Sequence, residues 1–226
     1  MHLRLFASLL SVLPVVACAD PAETRSSLVT EVETCEAILQ EFQASPKTAI
    51  PAKVLQQAKG LVIVNEFQAG FLIGGKGGYG VALVRRPGGG WSVPAFLDAG
   101  EASLGIQFGA KTVHTIFVLM DDAGSRLLYR ARLNFGADVA AVAGPHASEP
   151  QEATAIIKAS VLIYRMNSGL YAGAKLKTGW LSSDNKKNRL FYSTERTMPE
   201  ILFSNWITAP AEVVPLVNYV QSLAGH

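Results

Sequence analysis

Residues 70–76 read Gly-Phe-Leu-Ile-Gly-Gly-Lys, close to the G-x4-G-K spacing of a phosphate-cradling loop. In such a loop, backbone amides and a following helix N-terminus meet the phosphate, and the lysine reaches its outer oxygens. Here Gly77 stands where Ser or Thr would bind a metal, and Phe71, Leu72 and Ile73 are strand formers. No helix start follows. The competing reading is a strand stripped of side chains so that the sheet can bend or be approached closely. Alternation favours it: Tyr79, Val81, Leu83 and Arg85 share one face, and Gly80, Ala82, Val84 and Arg86 the other. Residues 169–175 repeat the pattern: glycine, two bulky residues, glycine four on, lysine six on.

Groups suited to catalysis are sparse. There is no G-x-S-x-G. His2 and His226 sit at the chain ends, His114 in a strand-forming run, and His146 in a loop without clustered carboxylates. No metal-ligand spacing is present, so no catalytic residue, metal or cofactor is expected. Glu66 and Glu101 flank the glycine-rich strands and leave an enzyme acting on envelope material as a remote reading. The cations carry more information. Residues 165–196 hold seven basic residues against two acids, a net of +5 in a chain whose formal net charge is +2. Convergent cations suit phospholipid headgroups, at about 1 kcal/mol per residue near an anionic surface. The expected headgroup contacts are Lys76, Arg85, Arg86, Lys175, Lys177, Lys186, Lys187 and Arg189.

The elements that must position these groups can be read next. The chain has 226 residues, 49% hydrophobic and 17% charged, enough for one domain with a full core and too apolar for disorder. Neither the charge nor any motif points to nucleic acid. Residues 1–17 have the form of an export signal, with Arg4 before an apolar run too short to span a bilayer. Two processing routes fit. Val15-Val16-Ala17-Cys18 resembles a lipobox that would acylate Cys18, and Ala17-Cys18-Ala19 also reads as a cleavage site before Asp20. The lipobox is the expected route. It gives a periplasmic protein anchored to an outer membrane by its N-terminal lipid. Cys35 would then be the one free thiol, leaving no disulfide within the chain.

Residues 18–48 read as a helix capped at Asp20, with Leu28, Val32, Cys35, Leu39 and Phe42 as its inward stripe and an acidic outer face. A short helix over 51–58 follows, then strands over 61–65 and 70–86, a turn at 87–90 and a return strand over 91–97. Further strands are expected over 100–108, 113–120, 135–143, 153–165 and 169–181, with a helix over 125–132. Residues 184–188 (DNKKN) read as a polar turn. Thr197 and Glu200 form a capping box, and Val213, Leu216, Val217, Val220 and Leu223 give a final helical stripe. The expected class is α+β: a large curved antiparallel sheet, able to close toward a barrel, flanked by N- and C-terminal helices.

Several segments together resemble the SYLF domain family: Ile50-Pro51 with Ala58-Lys59-Gly60-Leu61, Ala69-Gly70-Phe71-Leu72 with the GGKGGYG run, Trp91-Ser92-Val93-Pro94, Gly144-Pro145, Ser168-Gly169-Leu170-Tyr171-Ala172-Gly173, and Asn188-Arg189-Leu190-Phe191-Tyr192. The resemblance covers residues 44–223 in order and places a SYLF-like domain over 49–226. It implies a non-enzymatic lipid-binding domain. Eukaryotic members bind phosphoinositides, some yeast members bind actin beside SH3 domains, and bacterial members are exported proteins or lipoproteins. Because the helix before the domain is acidic here, the expected ligand is generic anionic phospholipid, and actin is not expected as a partner. The alternative is a structural module of the envelope that docks a protein partner on its glycine-rich strands.

Overall fold

The computed structural model describes residues 24–71, 73–103, 110–135, 138, 141–146, 159–167, 170–171 and 179–225, with side chains outside 68–76, 101–111 and 167–178. Within them lie α1 (Arg25–Gln43), α2 (Ala52–Gln57), α3 (Asp122–Arg126), α4 (Asn185–Tyr192), α5 (Met198–Phe203) and α6 (Val214–Ala224). The strands are β1 (Gly60–Phe71), β2 (Ile73–Val84), β3 (Ala95–Ser103), β4 (Ala110–Leu119) and β5 (Arg132–Phe135), followed by β6 (Val142–Ala143), β7 (Val161–Asn167), β8 (Leu170–Tyr171) and β9 (Gly179–Ser183). They form one sheet in the order β5-β9-β3-β2-β1-β4-β7-β6, with β8 paired to β7. All pairs are antiparallel except the two-residue β6, which runs parallel to β7.

The sheet is strongly curled. β4 and β5 stand five strand spacings apart, roughly 24 Å in a flat sheet. Yet Phe117 of β4 stacks on Phe135 of β5 with ring centroids 4.6 Å apart. The ends of the sheet therefore curl toward each other around an apolar interior, giving the half-barrel that the α+β reading anticipates.

The glycine-rich run is strand. β2 pairs with β1 throughout, from Gly60 opposite Val84 to Phe71 opposite Ile73. Its glycines mark close approach: a Cβ at Gly80 would lie 2.2 Å from the Ile63 carbonyl oxygen, and one at Gly78 would lie 2.4 Å from that of Asn65. Such contacts are with rigid backbone, so only hydrogen fits.

On one face α1 lies across β1 and β2. Its expected stripe is buried in full, with Ile38 added, and Cys35 directs its thiol to the Ile63 carbonyl. Burial in this apolar seam pushes the Cys35 thiol pKa well above its ordinary value, consistent with a core residue rather than a nucleophile. The Thr24 hydroxyl and the Ser27 side chain cap α1 reciprocally, so the cap is Thr24 rather than the expected Asp20, which lies outside the described residues. α6 buries Leu216, Val220 and Ala224 and packs on α1 and α2.

Four local expectations are corrected. Residues 91–97 are not all strand: Trp91 makes an isolated bridge to Arg85, and β3 begins at Ala95. The helix expected over 125–132 begins at Asp122 under an Asp121 cap and passes into a 3-10 turn, Leu127–Tyr129. The strand expected over 135–143 is replaced by β5, ending at Phe135, and the short β6. The polar turn at 184–188 is the start of α4. The Asp184 side chain accepts the Lys187 amide and caps it.

The capping box of α5 forms as read. Glu200 Oε2 accepts from both the Thr197 amide and its hydroxyl, at 2.8 Å each. These bonds hold the Glu200 carboxyl below its ordinary pKa. A depressed carboxylate contributes stability that is present above the unfolded pKa and lost as pH falls through the folded one. Glu200→Gln is therefore expected to be less stable than the parent at neutral pH. The gap should close below the usual carboxylate range, as urea unfolding at the two pH values would show.

Candidate cationic and aromatic surface

The helical course of Asn185–Tyr192 decides where the candidate cations go. Successive residues of a helix point about 100° apart, so Lys186 and Lys187 cannot face the same way. Lys186, Arg189 and Leu190 form an exposed stripe at i, i+3 and i+4. Lys187 and Asn188 turn inward with Phe191.

Lys187 is thus removed from the expected headgroup set, because its amine is inside the protein. Nζ lies 3.0 Å and 3.2 Å from the two carboxylate oxygens of Glu31 on α1, and 3.7 Å from Asp98 of β3. The Tyr79 ring lies beneath it, with the centroid 5.6 Å away. The ammonium joins α1, α4 and the sheet, and its side chain is 7% exposed.

Arg85 is also withdrawn, by hydrogen bonds to carbonyls at helix ends. Its Nε donates to Ala58 O, and its Nη2 donates to Gln56 O and Ala224 O, at 3.1–3.3 Å. These are the last carbonyls of α2 and α6, where unsatisfied oxygens and the helix dipole favour a cation. The Trp91 ring lies 5.2 Å from the guanidinium. Arg86 is half-buried, and burial lowers its pKa below the ordinary arginine value. Arg189 is exposed, with only a loose pairing to Glu195 at 3.8 Å. The side chain of Lys76 and all of Cys18, Lys175 and Lys177 lie outside what is described. Of the five expected cations whose side chains are described, Lys186 and Arg189 are exposed on one helix face, Arg85 and Lys187 are committed to internal contacts, and Arg86 is intermediate.

Glu66 is not poised for proton transfer. Its Oε2 accepts from Arg165 Nη2 and from Thr115 Oγ1, each at 2.9 Å, in a buried network inside the curl. The Glu101 side chain lies outside the described set. Among the described residues no group of three His, Cys, Asp or Glu side chains could hold a metal, and no helix is long and apolar enough to cross a membrane.

A second surface feature escaped the sequence reading. Tyr129, at the end of the 3-10 turn, is 57% exposed and stacks on Phe203 at the end of α5, with centroids 4.6 Å apart. Trp206, three residues on, is 61% exposed, and the Arg196 guanidinium lies 3.9 Å from the centre of its ring. An open cleft of about 460 Å³ runs beside the stack, lined by Asp122, Ser125, Arg126, Tyr129 and Phe203. The residues come from three separate stretches of chain, so no local pattern announces them. The one available signal was Trp206 directly beyond a capped amphipathic helix.

Residues 100–223 match the family described as Ysc84, Las17-binding protein actin regulator. Over 204 residues the chain is 30% identical to SH3 domain-containing YSC84-like protein 1 of Bos taurus, an alignment covering 87% of this chain and 60% of that protein. The Homo sapiens protein of the same name is 29% identical, with 87% and 59% covered. LAS seventeen-binding protein 3 of Saccharomyces cerevisiae is 31% identical over 207 residues, with 88% and 45% covered. The chain spans between about half and three fifths of the length of these curated relatives. The family match agrees with the SYLF-like segment pattern, and the chain belongs to the Ysc84 family.

Proposed function

We propose that this domain is a non-enzymatic binding module that docks on anionic phospholipid through its outer cationic face. The exposed α4 stripe of Lys186, Arg189 and Leu190 carries the reading. Two cations flank an apolar side chain on a helix whose other face is fixed in the core, so the stripe is presented without an ordering cost. Arg86, with Lys76, Lys175 and Lys177, remains a candidate contributor. Export and acylation at Cys18 would hold the domain at a periplasmic membrane surface, and intact mass of the mature chain would test that step.

Flotation with vesicles tests the docking. Vesicles of zwitterionic lipid plus anionic phosphatidylglycerol should bind the protein, purely zwitterionic vesicles should not, and added salt should weaken binding. Lys186→Gln with Arg189→Gln removes about 2 kcal/mol of attraction, an expected loss of about 30-fold in partitioning. Equal partitioning of parent and variant would remove α4 from the interface.

A second reading is favoured by the names of the family and of the yeast relative, which describe Las17-binding proteins and an actin regulator. On that reading the module docks a protein partner. Salt-insensitive co-purification of one protein, together with absent vesicle flotation, would select it.

A further inference from the structure

We propose that Tyr129, Phe203 and Trp206 form an interfacial anchor that enters the headgroup layer of an anionic bilayer, with Arg126 and Arg196 as its flanking cations. This rests on the phospholipid-docking reading and names the part of the surface that penetrates.

The first argument is exposure. Trp206 and Tyr129 are the two most exposed large hydrophobic side chains among the described residues, at 61% and 57%. Burial of such rings ordinarily stabilises a fold, and here that contribution is forgone. Large rings with one polar edge are the residue types that settle at the level of lipid headgroups, where the ring meets hydrocarbon and the N–H or O–H stays wet.

The second argument is order. Tyr129 and Phe203 are nearly parallel, at 20°, and the Arg196 guanidinium lies over the Trp206 ring. The rings are held by partners rather than left as free rotors, so insertion loses little side-chain entropy. A guanidinium stacked on an indole keeps its edge donors available, and those match phosphate oxygens.

Charge is the third argument. Arg126 lines the cleft from α3, and Arg196 stands before α5. Asp122, on the cleft wall, disfavours an anion deep inside, so phosphate is expected at the rim on Arg126 and Arg196 while the rings go deeper. Of the nearby acids, Glu200 and Asp121 keep their charge but are turned to the backbone as caps, and Glu195, exposed next to Arg196, pairs loosely with Arg189 at 3.8 Å.

The anchor is also tied to the cationic stripe. The Met198 amide at the start of α5 donates to Asn185 Oδ1 at the start of α4, at 3.2 Å. That bond joins the helix carrying the cationic stripe to the helix whose end carries Phe203.

Tryptophan fluorescence tests this directly. Trp91 is buried and Trp180 half-buried, so an environment change on docking should fall chiefly on Trp206. Vesicles of phosphatidylcholine and phosphatidylglycerol should shift the emission of the full chain to the blue. Lipids brominated near the glycerol end of the acyl chain should quench it. Trp206→Phe should abolish both signals while still floating. Tyr129→Ala with Trp206→Ala should weaken flotation roughly 10-fold or more, with an unchanged thermal midpoint because neither ring is in the core. Flotation of the parent without a Trp206 shift or quenching overturns the anchor and leaves docking through the α4 charges intact. Equal flotation of parent and double alanine variant also overturns it and gives the ring cluster to a protein partner. No flotation of the parent removes the underlying reading, and the anchor with it.

Discussion

Arg165→Met is expected to destabilise the domain by roughly 3–5 kcal/mol, the usual cost of stranding one partner of a buried ion pair. That is a large fraction of the net stability of an ordinary domain. The pair lies inside the curl, with the Arg165 and Glu66 side chains 11% and 8% exposed. Its geometry is dictated by register. Val64 of β1 sits opposite Thr115 of β4, and Thr115 opposite Arg165 of β7. Glu66, two residues beyond Val64, shares that face and reaches both neighbours diagonally. Removing the guanidinium leaves a carboxylate in low dielectric with the Thr115 hydroxyl as its remaining described donor. Glu66→Gln is the milder change, since the amide oxygen can still accept. Glu66→Leu combined with Arg165→Met should recover most of the loss, because apolar replacement of a whole buried pair is often neutral or favourable. Urea unfolding of the parent, Arg165→Met, Glu66→Leu and the double variant gives the cycle. A single-variant loss below about 1 kcal/mol would show that water reaches the pair. Recovery in the double variant would also mark Glu66 as architecture, in agreement with its engagement by two donors.

How far the sequence could be read depended on whether burial followed hydrophobicity. In α1 it did: Leu28, Val32, Cys35, Leu39 and Phe42 are all inside, and apolar periodicity is the signal that burial leaves. In β2 the alternation of Tyr79, Val81 and Leu83 was equally legible. The glycines there were read as close approach, and Gly80 against Ile63 is such a case. In α4 burial and hydrophobicity part company. Its buried residues are Lys187, Asn188 and Phe191, so two of the three inward positions are polar and the helical period is hidden. The cap residue Asp184 serves turns as readily as helices. Reading DNKKN as a turn therefore put Lys186, Lys187 and Arg189 on one solvated face, whereas the helix sends Lys187 to Glu31. Arg85 misled in the same way, since a strand-end arginine looks free until the α2 and α6 carbonyls are seen around it. The ring cluster was illegible for a different reason: Tyr129 and Phe203 are 74 positions apart and meet only through tertiary packing.

Asn188→Asp should cost roughly 3–5 kcal/mol and release the helix that carries the cationic stripe. Asn188 is fully buried. Its Oδ1 accepts from the Phe96 amide at 2.8 Å, and its Nδ2 donates to the Phe96 carbonyl at 3.0 Å and the Asp184 carbonyl at 2.8 Å. The side-chain amide thus satisfies the Phe96 amide and shares the Phe96 carbonyl with the Asp184 amide, which donates to it at 3.1 Å where the chain turns from β9 into α4. The paired residues end at Leu97 opposite Ser183, and Asn188 supplies the acceptor that the Phe96 amide would otherwise lack there. Aspartate keeps the accepting oxygen but turns a second lone pair toward two carbonyls, and it carries a charge into a fully buried position. Protonation would restore one donor, so the folded carboxyl should titrate above its unfolded value. The sign of the pH dependence follows: the deficit relative to the parent should be smallest below the ordinary aspartate range and grow as pH rises toward the folded value. Asn188→Ala, which strands the Phe96 amide without adding charge while the Phe96 carbonyl keeps the Asp184 amide, should show a smaller deficit and no such pH dependence. Parallel urea titrations of both variants at acid and neutral pH would separate the two effects. A pH-independent deficit in the aspartate variant would mean that solvent enters beneath α4. Retained flotation on anionic vesicles by either variant at a pH where it stays folded would show that the stripe does not need this anchor. Lost flotation with the core still folded would make Asn188 the residue that holds Lys186 and Arg189 toward the membrane.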